Sequence, residues 1–206
     1  MVRKPINWNK LFQPRSITVV GASTKTGLNI NLFFAALVAA KFQGHLYAVN
    51  RHADEVMGYP AYRSLRDIPG PVDYAVIAVP RDNVLAVIKD CIVKKVAVAH
   101  IFTSGFGETH TPEGQKLNEE LKHLAAGRIR IIGPNCMGTY CPKARMAYTP
   151  GQSMNVGDIG FISQSGGHNS LFIETATSQG LYFSKAISIG NSLDLGINDF
   201  LEYLGE

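Results

Sequence analysis

The residue grouping with the clearest chemical content is Gly21-Ala22-Ser23-Thr24-Lys25-Thr26-Gly27, set between a β-rich run and a helical one. An early glycine permits a tight turn, and Gly27 permits close approach of backbone to a ligand. A helix start just beyond offers free backbone N–H groups and the positive end of a dipole, which suits phosphate. Ser23, Thr24 and Thr26 add hydroxyls and Lys25 adds a cation. The alternative reading is a tight turn that holds no ligand. A second grouping, Asn50-Arg51-His52, stands where dinucleotide sites that grip both ribose hydroxyls carry a carboxylate. With Arg51 there, an extra ribose phosphate is attracted rather than repelled. At about 4 Å and an effective dielectric near 20 that attraction is about 4 kcal/mol before desolvation. Asp54 and Glu55 lie slightly further on and could serve as the acid in a distorted loop.

These groups need a scaffold, and the sequence supplies an alternating one. Strands are expected at residues 16–20, 46–50, 72–79, 96–102 and 129–132, and helices at 28–41, 83–94 and 112–125. The run VDYAVIAV is nearly all apolar, as a strand covered on both faces should be. Such alternation means βαβ units, a parallel sheet and an α/β fold. Right-handed crossovers then bring the loops 21–27, 50–58, 80–83, 103–108 and 133–138 to one end of the sheet. That end therefore carries Val79, Pro80 and Arg81 from the third loop and Thr103, Ser104, Gly105 and Phe106 from the fourth. Phe106 either lines a groove or packs down as an anchor. Together with Arg51, this favours a ligand bearing a ribose phosphate, such as NADP or coenzyme A.

Residues 139–157, with Pro142, Pro150 and Gly151, read as a linker or an extended crossing. Strand and helix then alternate again at 158–163, 167–178, 183–189 and 195–204. Two such units alone leave a two-stranded sheet with an apolar edge. The reading favoured is a fragment of a longer protein, with dimers or higher homo-oligomers expected.

Composition narrows the classes. Lys plus Arg is 20 against 16 Asp plus Glu, a formal charge of +4 with the basic residues scattered. This argues against nucleic acid. The longest apolar run, residues 32–40, is about half a bilayer span, so no membrane is expected. Cys91, Cys136 and Cys141 make no disulfide framework, and the setting is read as cytoplasmic. No Cys or His spacing suggests a metal site.

Six ordered motifs carry a family resemblance: GAS…G at 21–27, VN…DEVMG at 49–58, DIPGPVDYAVIAVP at 67–80, FTSGFGE at 102–108, GPNCMG at 133–138 and FISQSGG at 161–167. Taken together they resemble the NDP-forming acyl-CoA synthetases, which include ADP-forming acetate–CoA ligases and, more distantly, the succinyl-CoA synthetase alpha subunit. The resemblance runs from Arg15 onward. It implies a Rossmann-like CoA-binding domain over residues 10–142 and the first half of a flavodoxin-like ligase domain over 155–206. It also implies that Gly21–Gly27, Asn50–His52, Val79–Arg81 and Thr103–Phe106 hold CoA.

The family's reaction joins an acid to CoA at the expense of ATP, through an acyl phosphate and a phosphohistidine. Ser165, Gly166 and Gly167 resemble the start of the helix whose N-terminus faces that phosphohistidine. A helix dipole favours such an anion by about 0.3–2 kcal/mol. The resemblance places the phosphorylated histidine downstream of this chain and assigns ATP, ADP and Mg to an ATP-grasp domain or beta subunit. The expectation is therefore CoA binding without turnover by this chain, with no catalytic residue of its own. His168, beside the helix start, is read as a helix residue rather than the phosphoryl acceptor. Two positions depart from the family pattern: Ile30 replaces a glycine, and VNRHA stands for VNPKR. Two other readings remain open: a CoA-sensing regulatory or scaffold module, as found fused to acetyltransferases, and an NADP-binding oxidoreductase domain.

Overall fold

A computed structural model describes residues 4–25 and 31–205. The elements follow in the order α1 (Trp8–Phe12), β1 (Ser16–Val20), α2 (Leu32–Ala39), β2 (His45–Val49), β3 (Glu55–Val56), β4 (Tyr59–Tyr62), β5 (Tyr74–Ile77), α3 (Val84–Val93), β6 (Val98–Ile101), α4 (Pro112–Ala125) and β7 (Arg130–Ile132). After these come β8 (Gly138–Tyr140), β9 (Val156–Ser163), α5 (Gly166–Ser178), β10 (Phe183–Ser188) and α6 (Ile197–Gly205).

The first sheet has seven strands in the order β3-β4-β2-β1-β5-β6-β7. All its pairs are parallel except the β3–β4 hairpin. The chain winds from β1 outward through β2, then returns to the other side of β1 to build β5, β6 and β7. That reversal makes a topological switch point between β1 and β5, where the loops part and leave a crevice.

Residues along each strand alternate between two cores, as strand geometry requires. Ile17, Val19, Tyr74, Val76, Val98 and Ile132 face one apolar cluster. Val20, Ala75, Ile77, Ala99, Ile101 and Ile131 face the other. The second cluster is closed by α3 and α4, through Val84, Val87, Ile88 and Leu121. The first is closed by Phe33, Phe34 and Leu37 of α2, together with residues from the later part of the chain, such as Tyr140, Tyr148, Ile173 and Phe183. Thr111 caps α4 by accepting from the Gly114 amide, and Pro112 occupies the first turn, where it lacks nothing the helix needs.

The structure corrects the reading of residues 139–157 as a linker. β8 lies within the GPNCMG turn and its exit and pairs antiparallel with β10, so the second sheet has three strands, in the order β8-β10-β9. Cys141, Pro142, Met146 and Tyr148 are buried. The Tyr148 hydroxyl bonds to Asn169 Oδ1 and the Tyr140 hydroxyl to the Ser153 carbonyl. The β3–β4 hairpin was also missed. Its first strand sits inside the loop expected at 50–58 and its second just beyond it, and both are too short to show a period. Helix α2 is described from Leu32, and the earlier part of the helix expected at 28–41 lies outside the described residues.

The two parts of the chain are joined by more than the connection at 141–155. The segment 191–195 runs along the open edge of β7, with Leu193 N–H donating to Gly133 O at 3.0 Å and Leu195 N–H to Ile131 O at 3.1 Å. Buried Arg130 extends the join: its Nε donates to Asp194 Oδ2 at 2.8 Å. Asn191, Asp194 and the turn between them thus cover an edge that would otherwise expose unpaired backbone groups.

Candidate functional site

Two clefts open at the carboxyl end of the first sheet and meet at the switch point. Gly21 and Val79 border both. Gly21 has φ of 98°, its N–H donates to Val49 O at 3.0 Å, and a Cβ placed there would lie 2.2 Å from Ala78 O. No other residue type fits a turn that runs so close to the neighbouring strand.

One cleft, of about 360 Å³, is lined by Asn50, Arg51, His52, Arg63, Ser64, Pro80, Asn83 and Asp90 among others. Asn50 organises it rather than reaching into it. Its Nδ2 donates to Ala22 O at 2.7 Å, and its Oδ1 accepts from the His52 and Ala53 amides at 2.8 and 2.9 Å. This Asx geometry turns the chain so that Arg51 and His52 stand exposed at the rim. Arg63, at the exit of β4, brings a second guanidinium to the same cleft; its Nη2 pairs with Asp54 at 2.5 Å. Sequence reasoning missed Arg63 because the unseen hairpin is what folds it back beside Arg51. Asp54 engages Arg63, and neither Asp54 nor Glu55 is among the residues lining the cleft.

The other cleft, of about 400 Å³, is lined by Ser23, Asn31, Phe33, Phe102, Thr103, Ser104 and Asn135 among others. Ser23 N–H donates to Asn31 Oδ1 at 3.2 Å, and Ser23 Oγ accepts from the Lys25 amide at 3.1 Å. Asn31 takes a left-handed conformation at the entry of α2 and is a further residue the sequence reading did not single out. Thr24 and Lys25 are exposed on the same loop, whereas Thr26 and Gly27 lie outside the described residues. Phe33 and Phe102 meet edge to face at 4.9 Å between ring centroids and form an apolar wall. Thr103 Oγ1 donates to Val79 O at 2.7 Å, which locks the third and fourth loops together.

Arg81 and Phe106 are placed differently from a ligand-lining role. Arg81 Nη1 donates to Gly105 O at 3.3 Å, and the arginine stem lies where a Gly105 Cβ would be, 2.6 Å from Cδ. Phe106 is fully buried in the core under the fourth loop, so it is the anchor, and Phe102 supplies the aromatic wall. Beneath the site, burial holds His100 down at about 4 despite the bond from its Nε2 to Cys136 O at 3.0 Å. It is a neutral packing residue. Burial likewise pushes the Cys136 thiol up, and the thiol lies against Ile101 O.

The SQSGG element begins α5 near these loops. Ser165 is the N-cap, its Oγ accepting from the His168 amide at 3.3 Å. Gly166 packs against Met137, where a Cβ would come within 2.6 Å of its side chain. Gly167 and His168 are exposed, and a Cβ at Gly167 would meet nothing nearer than 4.0 Å. The first turn of α5 thus lies against Met137 of the GPNCMG turn, with Gly167 exposed.

A cationic rim, a line of hydroxyl and amide donors, and an apolar wall follow one another along this crevice. Residues 15–142 match the model of the CoA binding domain family, and residues 156–206 match that of the succinyl-CoA ligase like flavodoxin domain. The chain belongs to the CoA-binding domain family, in the two-domain arrangement of the NDP-forming acyl-CoA synthetases. It is 39% identical over 200 residues to the alpha subunit of an ADP-forming acetate–CoA ligase II of Pyrococcus furiosus, an alignment covering 95% of this chain and 42% of that one. It is 37% identical over 199 residues to an ADP-forming acetate–CoA ligase I of Archaeoglobus fulgidus, covering 96% of this chain and 29% of the relative. Among solved structures, a dinucleotide forming acetyl-coenzyme A synthetase 1 of Ca. Korarchaeum cryptofilum superposes with a TM-score of 0.89 at 35% identity, over 97% of this chain and 43% of that one. The chain thus spans less than half the length of these relatives. Among the described residues, no helix is long and apolar enough to cross a membrane.

Proposed function

We propose that this chain is the CoA-binding portion of an ADP-forming acid–CoA ligase. In the parent reaction an acid, CoA and ATP give acyl-CoA, ADP and phosphate, by way of an acyl phosphate and a phosphohistidine. The observation that carries the reading is the pair of clefts meeting at Gly21 and Val79, with cations at one end and an apolar wall at the other. CoA has that polarity: a phosphorylated nucleotide joined to a long, thin chain.

The residues present fit such a ligand. Arg51, His52 and Arg63 serve the ribose phosphate; Gly21, Ser23, Thr24, Lys25, Thr26 and Gly27 serve the pyrophosphate. Asn50 and Pro80 shape the nucleotide end. Val79, Thr103, Ser104 and Gly105 border the path of the thiol arm, with Arg81 and Phe106 supporting the fourth loop. Ser165, Gly166 and Gly167 present amides to a phosphoryl group. ATP, ADP and Mg belong to an ATP-grasp domain or beta subunit that acts with this portion. CoA or acyl-CoA is the ligand here, in a cytoplasmic, homo-oligomeric protein. The domain limits 10–142 and 155–206 are part of the same proposal. These relatives, two acetate–CoA ligases and an acetyl-coenzyme A synthetase, do not favour a sensing module or an NADP-linked oxidoreductase.

The test is thermal denaturation with increasing CoA. A ligand that binds only the folded state at a hundred times its Kd stabilises by about 2.7 kcal/mol, so the melting temperature rises with CoA concentration. No shift with CoA, or an equal shift with NADPH, overturns the reading.

A further inference from the structure

The fourth loop is held by a carboxylate that no ligand needs to touch. Glu108 Oε1 accepts from the Gly105 amide at 2.5 Å and Oε2 from the Phe106 amide at 3.1 Å. Its third partner comes from the second half of the chain: Asn191 Nδ2 donates to Oε2 at 2.5 Å. Burial pushes the Glu108 carboxyl up, but the hydrogen bonds it accepts, that from Gly105 foremost, outweigh this and leave it below its ordinary value. Glu108 is therefore a carboxylate at neutral pH.

Asn191 is itself wedged. Its N–H donates to Pro134 O at 2.9 Å, and the preceding Gly190 is pressed so close that a Cβ would lie 2.3 Å from the same oxygen. The amides of Ile189 and Gly190 donate to Ser163 O and Gln164 O, at 2.9 and 3.1 Å. A continuous set of hydrogen bonds thus runs from the entry of α5, through residues 189–191, to Glu108 and on to Gly105 and Phe106. Asn191 lines neither cleft.

We propose that Glu108 and Asn191 form a clasp that positions the loop 103–106 for CoA, so that this loop and the phosphate-facing turn at 163–167 move as one unit. The proposal rests on the CoA reading of the crevice. Glu108 is a positioning residue: it donates nothing to the ligand and acts through the Gly105 and Phe106 amides. Any shift of the 163–167 turn that withdraws Asn191 leaves Glu108 with one partner fewer, and the fourth loop loosens.

The test combines amide hydrogen exchange with CoA titration on Asn191→Asp, Asn191→Ala, Glu108→Gln and the double variant Glu108→Gln/Asn191→Ala. Asn191→Asp sets a second carboxylate against Glu108, and Glu108→Gln puts an NH2 in place of one of the two oxygens that accept from the loop amides. The expected result is faster exchange at Gly105 and Phe106 in both Asn191 variants, with the sheet amides unchanged. CoA Kd rises about tenfold in Asn191→Asp, the scale of one hydrogen bond to a charged group, and the double variant binds no more weakly than Glu108→Gln alone, because Asn191 acts only through Glu108. Exchange and Kd within about twofold of wild type in both Asn191 variants overturns the clasp, as does a double variant in which the two losses simply multiply. If wild type fails to bind CoA while Gly105 and Phe106 respond to Asn191, the ligand reading fails and the clasp stands; an unchanged exchange pattern in that case removes both.

Discussion

Arg51 was legible in the sequence, and Arg63 was not, although the two stand at one cleft. The first follows a strand directly, so its place needs only the βαβ pattern. The second reaches the cleft because β3 and β4 fold back as a hairpin beside β2. Arg63 is half-exposed in its pair with Asp54, which is 92% exposed, and surface pairs of this kind contribute little. A phosphate can therefore take the guanidinium at small cost. Replacement of Arg51 by Glu is expected to weaken CoA far more than dephospho-CoA. Arg63→Ala is expected to do the same more mildly, by up to about fivefold, the limit for an exposed ion pair. Calorimetric titration with both ligands checks this; equal losses for the two remove the arginines from the ribose phosphate. Phe106 teaches the complementary lesson. Its neighbours Gly105 and Gly107 mark a loop, but nothing in the local sequence says whether an aromatic there turns toward a ligand or into the core.

At the level of elements, the turn after β1 sets the crevice. Gly21 combines a φ of 98° with a backbone oxygen 2.2 Å from any added Cβ. Gly58, at the tip of the β3–β4 hairpin, has a φ of 83° but nothing within 4 Å. Gly21→Ala is therefore expected to destabilise by about 3 kcal/mol or more and to abolish CoA binding, whereas Gly58→Ala costs about 1 kcal/mol for its backbone alone. Chemical denaturation midpoints for the two variants measure the difference. Similar losses at both would mean that β1 and β5 separate easily at the turn. The strands of the first sheet were readable because a buried parallel strand is a run of apolar residues. β8 was not readable: three residues, Gly138 to Tyr140, with a glycine first, carry no periodicity. It is a strand because β10 lies alongside it.

For the molecule as a whole, the two sheets share one apolar cluster, and the segment 191–195 seals the edge of β7. The α1 and α6 helices add to the join, with Trp8 and Phe12 stacked on Tyr203 at 4.5 and 5.0 Å between centroids. The second part is less covered: Val156, Leu171, Leu181 and Leu201 are each more than half exposed, and β9 has no outer neighbour among the described residues. Dimers or larger assemblies are the expected consequence, and a monodisperse monomer in light scattering would remove that expectation. The sequence by itself determined the order of the longer strands and helices, the parallel sheet and the loops at its carboxyl end, because hydrophobic periodicity and glycine placement are local and survive in one dimension. Tertiary structure alone decided that residues 139–157 are packed rather than a linker, that Arg63 joins Arg51, and that Asn191 grips Glu108 across 83 positions. Those are contacts between distant residues, and which distant groups meet depends on how completed layers pack, not on the residues that flank them.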